Sequence, residues 1–119
     1  MKKVTIGNAT LYCGDCFDVL AELDLKADAV ISDPPFGITD CDWDNPIPLD
    51  TLWEVLMEHL VKSYTDTGNL VLDCFMGSGS TGVACAIHNR RFIGIEQNKE
   101  YFDIAVERIQ KAYDECKTV

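Results

Sequence analysis

The sequence predicts one α/β domain built on a minimal, mostly parallel β-sheet with flanking helices. Short apolar runs alternate with longer amphipathic segments along its 119 residues, which is the pattern of strand–helix–strand units. A glycine-rich turn follows one apolar run, and carboxylates stand where three runs end, at Asp33, Asp73 and Glu96. Parallel strands joined by crossovers bring their carboxyl ends to one edge of the sheet, where ligands bind. We therefore expect these carboxylates to meet at that edge.

The individual elements follow from the spacing of apolar residues. Strands are predicted from alternating or continuous apolar runs, and helices from apolar residues that recur every three or four positions. In chain order the elements are a ribbon at 4–6 and 9–12 around a Gly7-Asn8 turn, a helix at 17–25, a strand at 29–31, a helix from 48 or 50 to 64, a strand at 70–72, a helix ending near 88, a strand at 91–95 and a helix at about 99–117.

Two helices carry apolar stripes that predict which face they bury. The first helix offers Phe17, Leu20, Ala21 and either Leu23 or Asp24. The last helix offers a longer stripe, formed by Tyr101, Ile104, Ala105, Ile109 and Ala112. Because an amphipathic helix turns its apolar face to the core, we expect both sets to pack against the sheet.

The strand at 29–31 is stopped abruptly by Ser32-Asp33-Pro34-Pro35. Two successive prolines remove two backbone donors and fix φ, so a sheet ladder does not continue through them. A carboxylate and the phenyl ring of Phe36 are left at the strand end. The simpler interpretation is a strand terminator beside a core phenylalanine. The rarity of proline at sheet positions favours a functional role instead.

Composition and charge narrow the class of protein. With 47% hydrophobic and 25% charged residues the chain has an ordinary globular composition. No apolar run approaches the roughly 20 residues that span a bilayer, and the first residues lack a signal-peptide core, so we expect a cytoplasmic protein without a membrane partner. The net charge of −10 has the wrong sign for a free-standing DNA-binding protein. Any nucleic-acid-binding function of this chain must therefore explain the shortage of positively charged residues.

The six cysteines are expected to be reduced thiols, since no secretion signal accompanies them. Cys13 and Cys16 form a single CxxC pair. A structural zinc site needs two further ligands at suitable spacing, and neither a second CxxC nor a paired histidine motif is present. We expect no metal, and buried structural cysteines instead.

The segment VLDCFMGSGSTGVA, residues 71–84, predicts a strand that runs through a tight turn into a helix. Its glycines match the loose dinucleotide pattern GxGxxG, and the lysine of a P-loop is missing. Glu96 ends the next strand, about 20 residues on, where a carboxylate can accept hydrogen bonds from ribose hydroxyls. The glycine pattern and Glu96 together indicate an adenosine-type cofactor. The alternative is that the glycines merely permit close packing of strand and helix.

Asp73 separates the candidate cofactors. A carboxylate at this strand end would repel a pyrophosphate but can orient the ammonium of a methionine moiety. S-adenosylmethionine (AdoMet) carries that ammonium and NAD does not, so Asp73 favours AdoMet. A Rossmann-type module for another nucleotide stays open on these residues alone.

Taken together, the motifs resemble those of the amino-methylating DNA methyltransferases. Asp33-Pro34-Pro35-Phe36 is similar to their catalytic tetrad, and residues 73–82 are similar to their cofactor motif D-x-F-x-G-x-G. Residues 12–16, Tyr-Cys-Gly-Asp-Cys, resemble the segment that reads the cofactor adenine, and residues 92–96 the ribose-binding strand. The tetrad precedes the cofactor motif, as in the permuted β-class adenine-specific enzymes, which include prophage and restriction-modification members.

This resemblance implies a Rossmann-like AdoMet-dependent methyltransferase fold and a definite set of site residues. The implied catalytic residues are Asp33, Pro34, Pro35 and Phe36. The implied cofactor-binding residues are Asp15, Cys16, Asp73, Phe75, Gly77, Ser78, Gly79, Ser80, Thr81 and Glu96. In the implied chemistry the Asp33 carboxylate and the Pro34 carbonyl each accept one hydrogen of the adenine amine, and its lone pair is directed at the sulfonium methyl group. Phe36 stacks on the base after it has flipped out of the duplex.

The chain departs from the family by lacking a long central region. Residues 1–56 resemble the catalytic part and residues 57–119 the AdoMet-binding part, so we expect a single shortened domain in which the two are joined directly. The absent region holds the family's target-recognition part, which accounts for the missing cations. From the family's sheet we expect four parallel strands in the spatial order 9–13, 91–95, 70–73 and 29–32.

The functional expectation is a site-specific DNA adenine-N6 methyltransferase that is shortened and therefore weak or inactive alone, with AdoMet as cofactor and DNA as a weakly held partner. The alternative is an AdoMet-binding remnant or subunit that needs a separate DNA-recognition chain. N4-cytosine methylation is less favoured because that group usually has serine where Asp33 stands. Exposed sheet edges also leave room for a homodimer or a partner subunit.

Overall fold

The computed structural model of the protein describes residues 2–32 and 49–116, with side chains from residue 54 onward in the second stretch. The elements of these residues are β1 (Lys2–Ile6), β2 (Ala9–Cys13), α1 (Cys16–Glu22), β3 (Ala29–Val30), α2 (Leu49–Tyr64), β4 (Leu70–Asp73), α3 (Ser80–Ile87), β5 (Arg91–Glu96) and α4 (Lys99–Cys116). Strands and helices alternate as the apolar spacing predicts. None of these helices has the length and apolar character needed to cross a membrane.

The five strands form one sheet in the order β1-β2-β5-β4-β3. The four strands β2, β5, β4 and β3 are parallel to one another, and β1 pairs antiparallel with β2 through the Gly7-Asn8 turn. Val71 of β4 lies in register with Ala29 of β3 on one side and with Phe92 of β5 on the other. The predicted spatial order of the parallel strands is therefore confirmed.

Three helices cover one face of the sheet and one covers the other. Helices α2, α3 and α4 enclose the larger core, in which Val71 and Phe92 meet Met57, Cys85 and Phe102. On the opposite face α1 packs through Val19 against a smaller cluster formed by Tyr12, Leu72 and Ile95. Val71 and Leu72 belong to different clusters because successive side chains of a strand point to opposite faces.

Helix α1 is shorter than predicted, and the prediction of its buried face is only partly correct. Leu20 and Leu23 pack against the smaller cluster, as predicted, but Phe17 and Ala21 do not. The helix ends at Glu22, where Leu23 caps it in an extended conformation. Val19 is fully buried, whereas Phe17 is 78% exposed and Ala21 is also exposed. Asp15 accounts for the start of the helix, because its side chain accepts from the amides of Phe17 and Asp18.

Helix α4 buries most of its predicted stripe, since Ala105, Ile109 and Ala112 lie in the core, but its first positions differ from the prediction. Tyr101 and Ile104 are 53% and 43% exposed, so their placement in the core was wrong. Phe102 is fully buried and leads a stripe at three- and four-residue spacing, completed by Ala105, Ile109 and Ala112. The two candidate stripes overlap in sequence, and only contact with the sheet selects between them.

Arg90 is a buried cation held between the ends of two helices. Its Nε donates to Thr65 Oγ1 at 2.9 Å and its Nη2 to the Thr65 carbonyl at 2.6 Å, just after α2. Its Nη1 donates to the carbonyl of His88 at 2.7 Å, at the end of α3. A positive charge at two helix C-termini also complements their dipoles. Arg90 therefore joins α2 to α3 at the end of the molecule away from the strand carboxyl ends.

Replacing this guanidinium is expected to weaken the fold. Arg90→Ala should lower the free energy of unfolding by about 3 kcal/mol, because it leaves buried acceptors without donors. Its neighbour Arg91 is exposed and donates one bond, to the Gly68 carbonyl, so Arg91→Ala should cost less than about 1 kcal/mol. Urea denaturation of both variants measures the difference, and equal losses would contradict the role given to Arg90.

Candidate functional site

The loops that follow β2, β5 and β4 meet at the carboxyl-end edge of the sheet. The amide of Gly14, after β2, donates to the carbonyl of Glu96 at 3.0 Å. The amide of Met76, after β4, donates to the carbonyl of Ile95 at 2.9 Å. Residues from three separate parts of the sequence thus form one continuous rim, as the parallel topology predicts.

Asp73 ends β4 beneath this rim and is fully buried. Its Oδ1 accepts from the amide of Phe75 at 3.0 Å and from the hydroxyl of Ser32 at 3.3 Å. Ser32 follows β3 and directly precedes Asp33 in the sequence. The predicted catalytic residues 33–36 lie outside the described residues. Ser32, the last described residue before them, contacts the predicted cofactor carboxylate.

The glycine turn is held in a conformation that favours glycine at two positions. Gly77 and Gly79 have φ values of 56° and 89°, in the left-handed region. The amide of Gly79 donates to the carbonyl of Met76 at 2.9 Å, which closes the turn before α3. The structure therefore contains the tight glycine turn that the sequence predicts between β4 and α3.

The glycines of this turn serve two different purposes. A Cβ added at Gly79 would lie 2.9 Å from the Cβ of Ala105, and one added at Gly82 would lie 2.5 Å from Cδ1 of Ile109. These two positions therefore permit close helix packing, which was the alternative interpretation of the motif. A Cβ added at Gly77 would meet only the Phe75 carbonyl, at 4.0 Å. Gly77 thus leaves open space above the turn.

Glu96 ties the turn to the start of α4. Its Oε1 accepts from the amide of Gly77 at 2.9 Å and its Oε2 from the amide of Asn98 at 2.9 Å. The carboxylate is therefore fixed by backbone groups on both sides. Each of its oxygens carries a second lone pair, so the same carboxylate retains acceptor capacity for ligand hydroxyls.

Asp15 caps α1 at the same edge of the sheet. Its Oδ1 accepts from the amides of Phe17 and Asp18, at 2.9 and 3.3 Å. A shallow groove opens beside it, and its lining includes Cys13, Gly14 and Asp18. Cys16, the first residue of α1, packs against the same cluster as Cys74. One oxygen of Asp15 is thus committed to the helix, while the residue borders a groove that could take a planar group.

The remaining predicted cofactor residues are spread around the turn. Phe75 is 45% exposed at the rim. Thr81 is buried, and its hydroxyl donates to the sulfur of Met57 at 3.4 Å, inside the interface of α2 and α3. Ser78 and Ser80 are bound from behind by Arg108 of α4. Sequence reasoning missed Arg108, because an arginine on an amphipathic helix has the same local pattern as a solvated one.

Two thiols near the site are held in the neutral form. Burial, followed by the neighbouring Cys16 and Asp73, raises the pKa of Cys74. Burial raises the pKa of Cys85 to about 12, while Arg90 lowers it and Asp73 adds a smaller rise. Among the described residues, no three His, Cys, Asp or Glu side chains are grouped so that they could hold a metal ion.

These shifts predict an order of thiol reactivity. Near pH 8, iodoacetamide should modify the exposed Cys116 first, Cys74 more slowly, and Cys85 only after unfolding. Because the pKa of Cys85 is higher in the folded chain than its ordinary value of 9.0, its neutral form contributes stability that is complete below about pH 9. That contribution is lost as the pH rises toward 12. Mass-spectrometric mapping checks the order, and rapid native labelling of Cys85 would contradict it.

One part of the chain is similar in sequence to a known protein family. Residues 52–107 match the N6_N4_Mtase family of DNA methylases. The match runs from α2 through the glycine turn and Glu96 into α4, the stretch that was predicted to bind the cofactor.

Two curated methyltransferases illustrate the relationship. The orphan methyltransferase M.BamHII of Bacillus amyloliquefaciens is 47% identical over 57 residues, which are 48% of this chain and 22% of that protein. The type II methyltransferase M.BglI of Bacillus subtilis is 42% identical over 59 residues, which are 50% of this chain and 17% of that protein. The matched part thus spans about a fifth of the length of these relatives.

The fold also has a counterpart among solved structures. The crystal structure of the M1.HpyAVI–SAM complex aligns with a TM-score of 0.69, covering 85% of this chain and 99% of that one at 22% identity. At this identity the alignment bears on the fold alone. The predicted Rossmann-like methyltransferase fold is therefore confirmed.

Proposed function

We propose that this chain is the AdoMet-binding and catalytic core of a DNA adenine-N6 methyltransferase, with DNA recognition supplied from outside the described residues. The observation that carries this proposal is the contact between Ser32 and Asp73. It connects the residue before the DPPF segment to the carboxylate below the glycine turn, at 3.3 Å. The methyl donor and the adenine amine that accepts the methyl group would be brought together at that point.

The described residues fit AdoMet in charge and in space. Glu96 retains acceptor capacity for two ribose hydroxyls, and Asp15 borders a groove suited to the adenine ring. Asp73 is fully buried at the end of β4, and its carboxylate is proposed to attract the ligand ammonium from there. Gly77 leaves room for a ligand to approach the backbone of the turn. AdoMet supplies an activated methyl group when it is bound, and this chain's residues would hold and orient it. The SAM complex of the structural neighbour M1.HpyAVI supports the same cofactor.

The choice of adenine rests on Asp33 and stays a proposal. Asp33 and the carbonyl of Pro34 would accept the two amino hydrogens, and Phe36 would stack on the flipped base. Enzymes similar to this one that methylate cytosine N4 usually have serine at the position of Asp33.

The DNA partner is proposed to be gripped mainly by other protein surface. The chain carries a net charge of −10, and several of its described cations are already engaged. Arg90 is buried against helix ends, Arg108 is paired with Glu54, and Lys99 is paired with Asp103 at 2.8 Å. This distribution favours a second candidate function, an AdoMet-binding subunit that acts only with a basic DNA-recognition chain.

Cofactor binding is tested with two matched glycine variants. Gly77 and Gly68 both have positive φ values, 56° and 86°, and an added methyl group clashes at neither. Each change to alanine should cost about 1 kcal/mol of stability through backbone strain. Isothermal titration should show AdoMet binding to wild type and to Gly68→Ala, and a loss of about tenfold or more in affinity for Gly77→Ala only. If wild type bound NAD but not AdoMet, both methyltransferase functions would be rejected.

Methyl transfer is tested with tritiated AdoMet and adenine-rich DNA. We expect slow transfer by wild type, with N6-methyladenine in the digested product, and none by Asp33→Ala, because the amine loses its principal acceptor. Asp24→Ala removes an exposed carboxylate away from the glycine turn and should transfer as wild type does. AdoMet binding without transfer would favour the subunit that needs a recognition chain. N4-methylcytosine as product would contradict the assignment of adenine.

A further inference from the structure

Arg108 makes an unusual set of contacts for a residue in the middle of a surface helix. Its Nη1 donates to the carbonyl of Ser78 at 2.8 Å, to the hydroxyl of Ser78 at 3.0 Å and to the hydroxyl of Ser80 at 3.4 Å. Its Nη2 donates to Glu54 of α2. A single guanidinium thus joins α4, the glycine turn, the start of α3 and α2.

The other described ion pairs of α4 do not join different helices or loops. Lys99 pairs with Asp103 and Lys111 with Glu115, in each case one turn along the same helix and at the exposed surface. Such pairs contribute little to stability. Arg108 has a side chain only 27% exposed and bonds to residues 28 and 30 positions away in the sequence. Its fork of donors suits several acceptors at once, which a lysine cannot match.

The position of Arg108 is unfavourable for helix stability by itself. It bonds to the first residue of α3, and a positive charge at a helix N-terminus opposes the helix dipole. Glu54 supplies the compensating negative charge. Since an acidic side chain there would stabilise α3 better, the arrangement is better explained by a requirement on the turn than by the stability of the helix.

We propose that Arg108 is a positioning residue, which holds Ser78 and Ser80 from behind so that the glycine turn keeps the shape that receives the methionine end of AdoMet. This inference rests on the proposed cofactor. The methionine end is the part concerned because its carboxylate is attracted to the start of α3, where Arg108 bonds to Ser80. The nucleoside end depends on Asp15 and Glu96, which Arg108 does not contact in any described hydrogen bond.

The experiment compares AdoMet with methylthioadenosine, which has the nucleoside and sulfur but lacks the amino-acid end. Isothermal titration with both ligands is carried out on wild type, Arg108→Ala, Arg108→Lys and Lys111→Ala. Lys111→Ala removes the same charge from the same helix without touching the turn. Thermal denaturation of each variant shows whether it is folded.

For Arg108→Ala we expect AdoMet affinity to fall about tenfold, roughly the value of one charge-assisted hydrogen bond, while methylthioadenosine affinity changes less than about threefold. Arg108→Lys should recover only part of the loss, and Lys111→Ala should bind both ligands as wild type does. If Arg108→Ala does not fold, Ser80→Ala removes one acceptor and should lower AdoMet affinity selectively by a smaller factor.

The outcomes separate this inference from the proposed function. Unchanged AdoMet affinity in Arg108→Ala, or an equal loss for both ligands, would overturn the positioning role while leaving AdoMet as the cofactor. Failure of wild type to bind either ligand would instead overturn the proposed cofactor itself.

Discussion

The hydrogen bonds of the Glu96 carboxylate connect the two features on which the site depends. One oxygen accepts from the amide of Gly77 and the other from the amide of Asn98, so the glycine turn and the start of α4 are attached to the same strand end. A turn with two left-handed glycines has few internal constraints, because glycine loses more conformational freedom on ordering than other residues. Anchoring it to a charged acceptor at the end of β5 holds it in one shape.

The same turn is constrained from the opposite side by packing. Gly79 and Gly82 allow α4 to approach so closely that Ala105 and Ile109 fill the space where side chains would be. Arg108, from the same helix, continues this contact with hydrogen bonds to Ser78 and Ser80. Helix α4 thus supports the turn from one side, and the hydrogen bond from Gly77 to Glu96 holds it from another. Support of this kind is what allows a site to hold a ligand without paying a large ordering cost on binding.

The charge distribution of the described residues suits cofactor binding better than DNA binding. The acidic side chains at the sheet edge suit the ammonium and hydroxyl groups of a cationic cofactor. They do not suit the negatively charged phosphodiester backbone of DNA. Because Arg90 and Arg108 are used inside the fold, they are not available to DNA. The match to DNA methylases over residues 52–107 covers this cofactor side of the molecule, at about a fifth of the length of the curated relatives. The proposed cofactor site and the proposed DNA contact would therefore depend on different surfaces.

The amino-acid sequence by itself determined the alternation of strands and helices, the glycine turn and the placement of Asp15, Asp73 and Glu96 at strand ends, since each of these follows from local spacing. The family resemblance added the order of the parallel strands. Tertiary structure decided which stripe of α4 is buried, because Tyr101 and Phe102 lie one position apart and only the sheet distinguishes them. It also decided that Gly77 faces open space while Gly82 faces Ile109, and that Arg108 reaches the turn. These features depend on contacts between residues that are far apart in the sequence, and local periodicity contains no information about which distant surfaces approach one another.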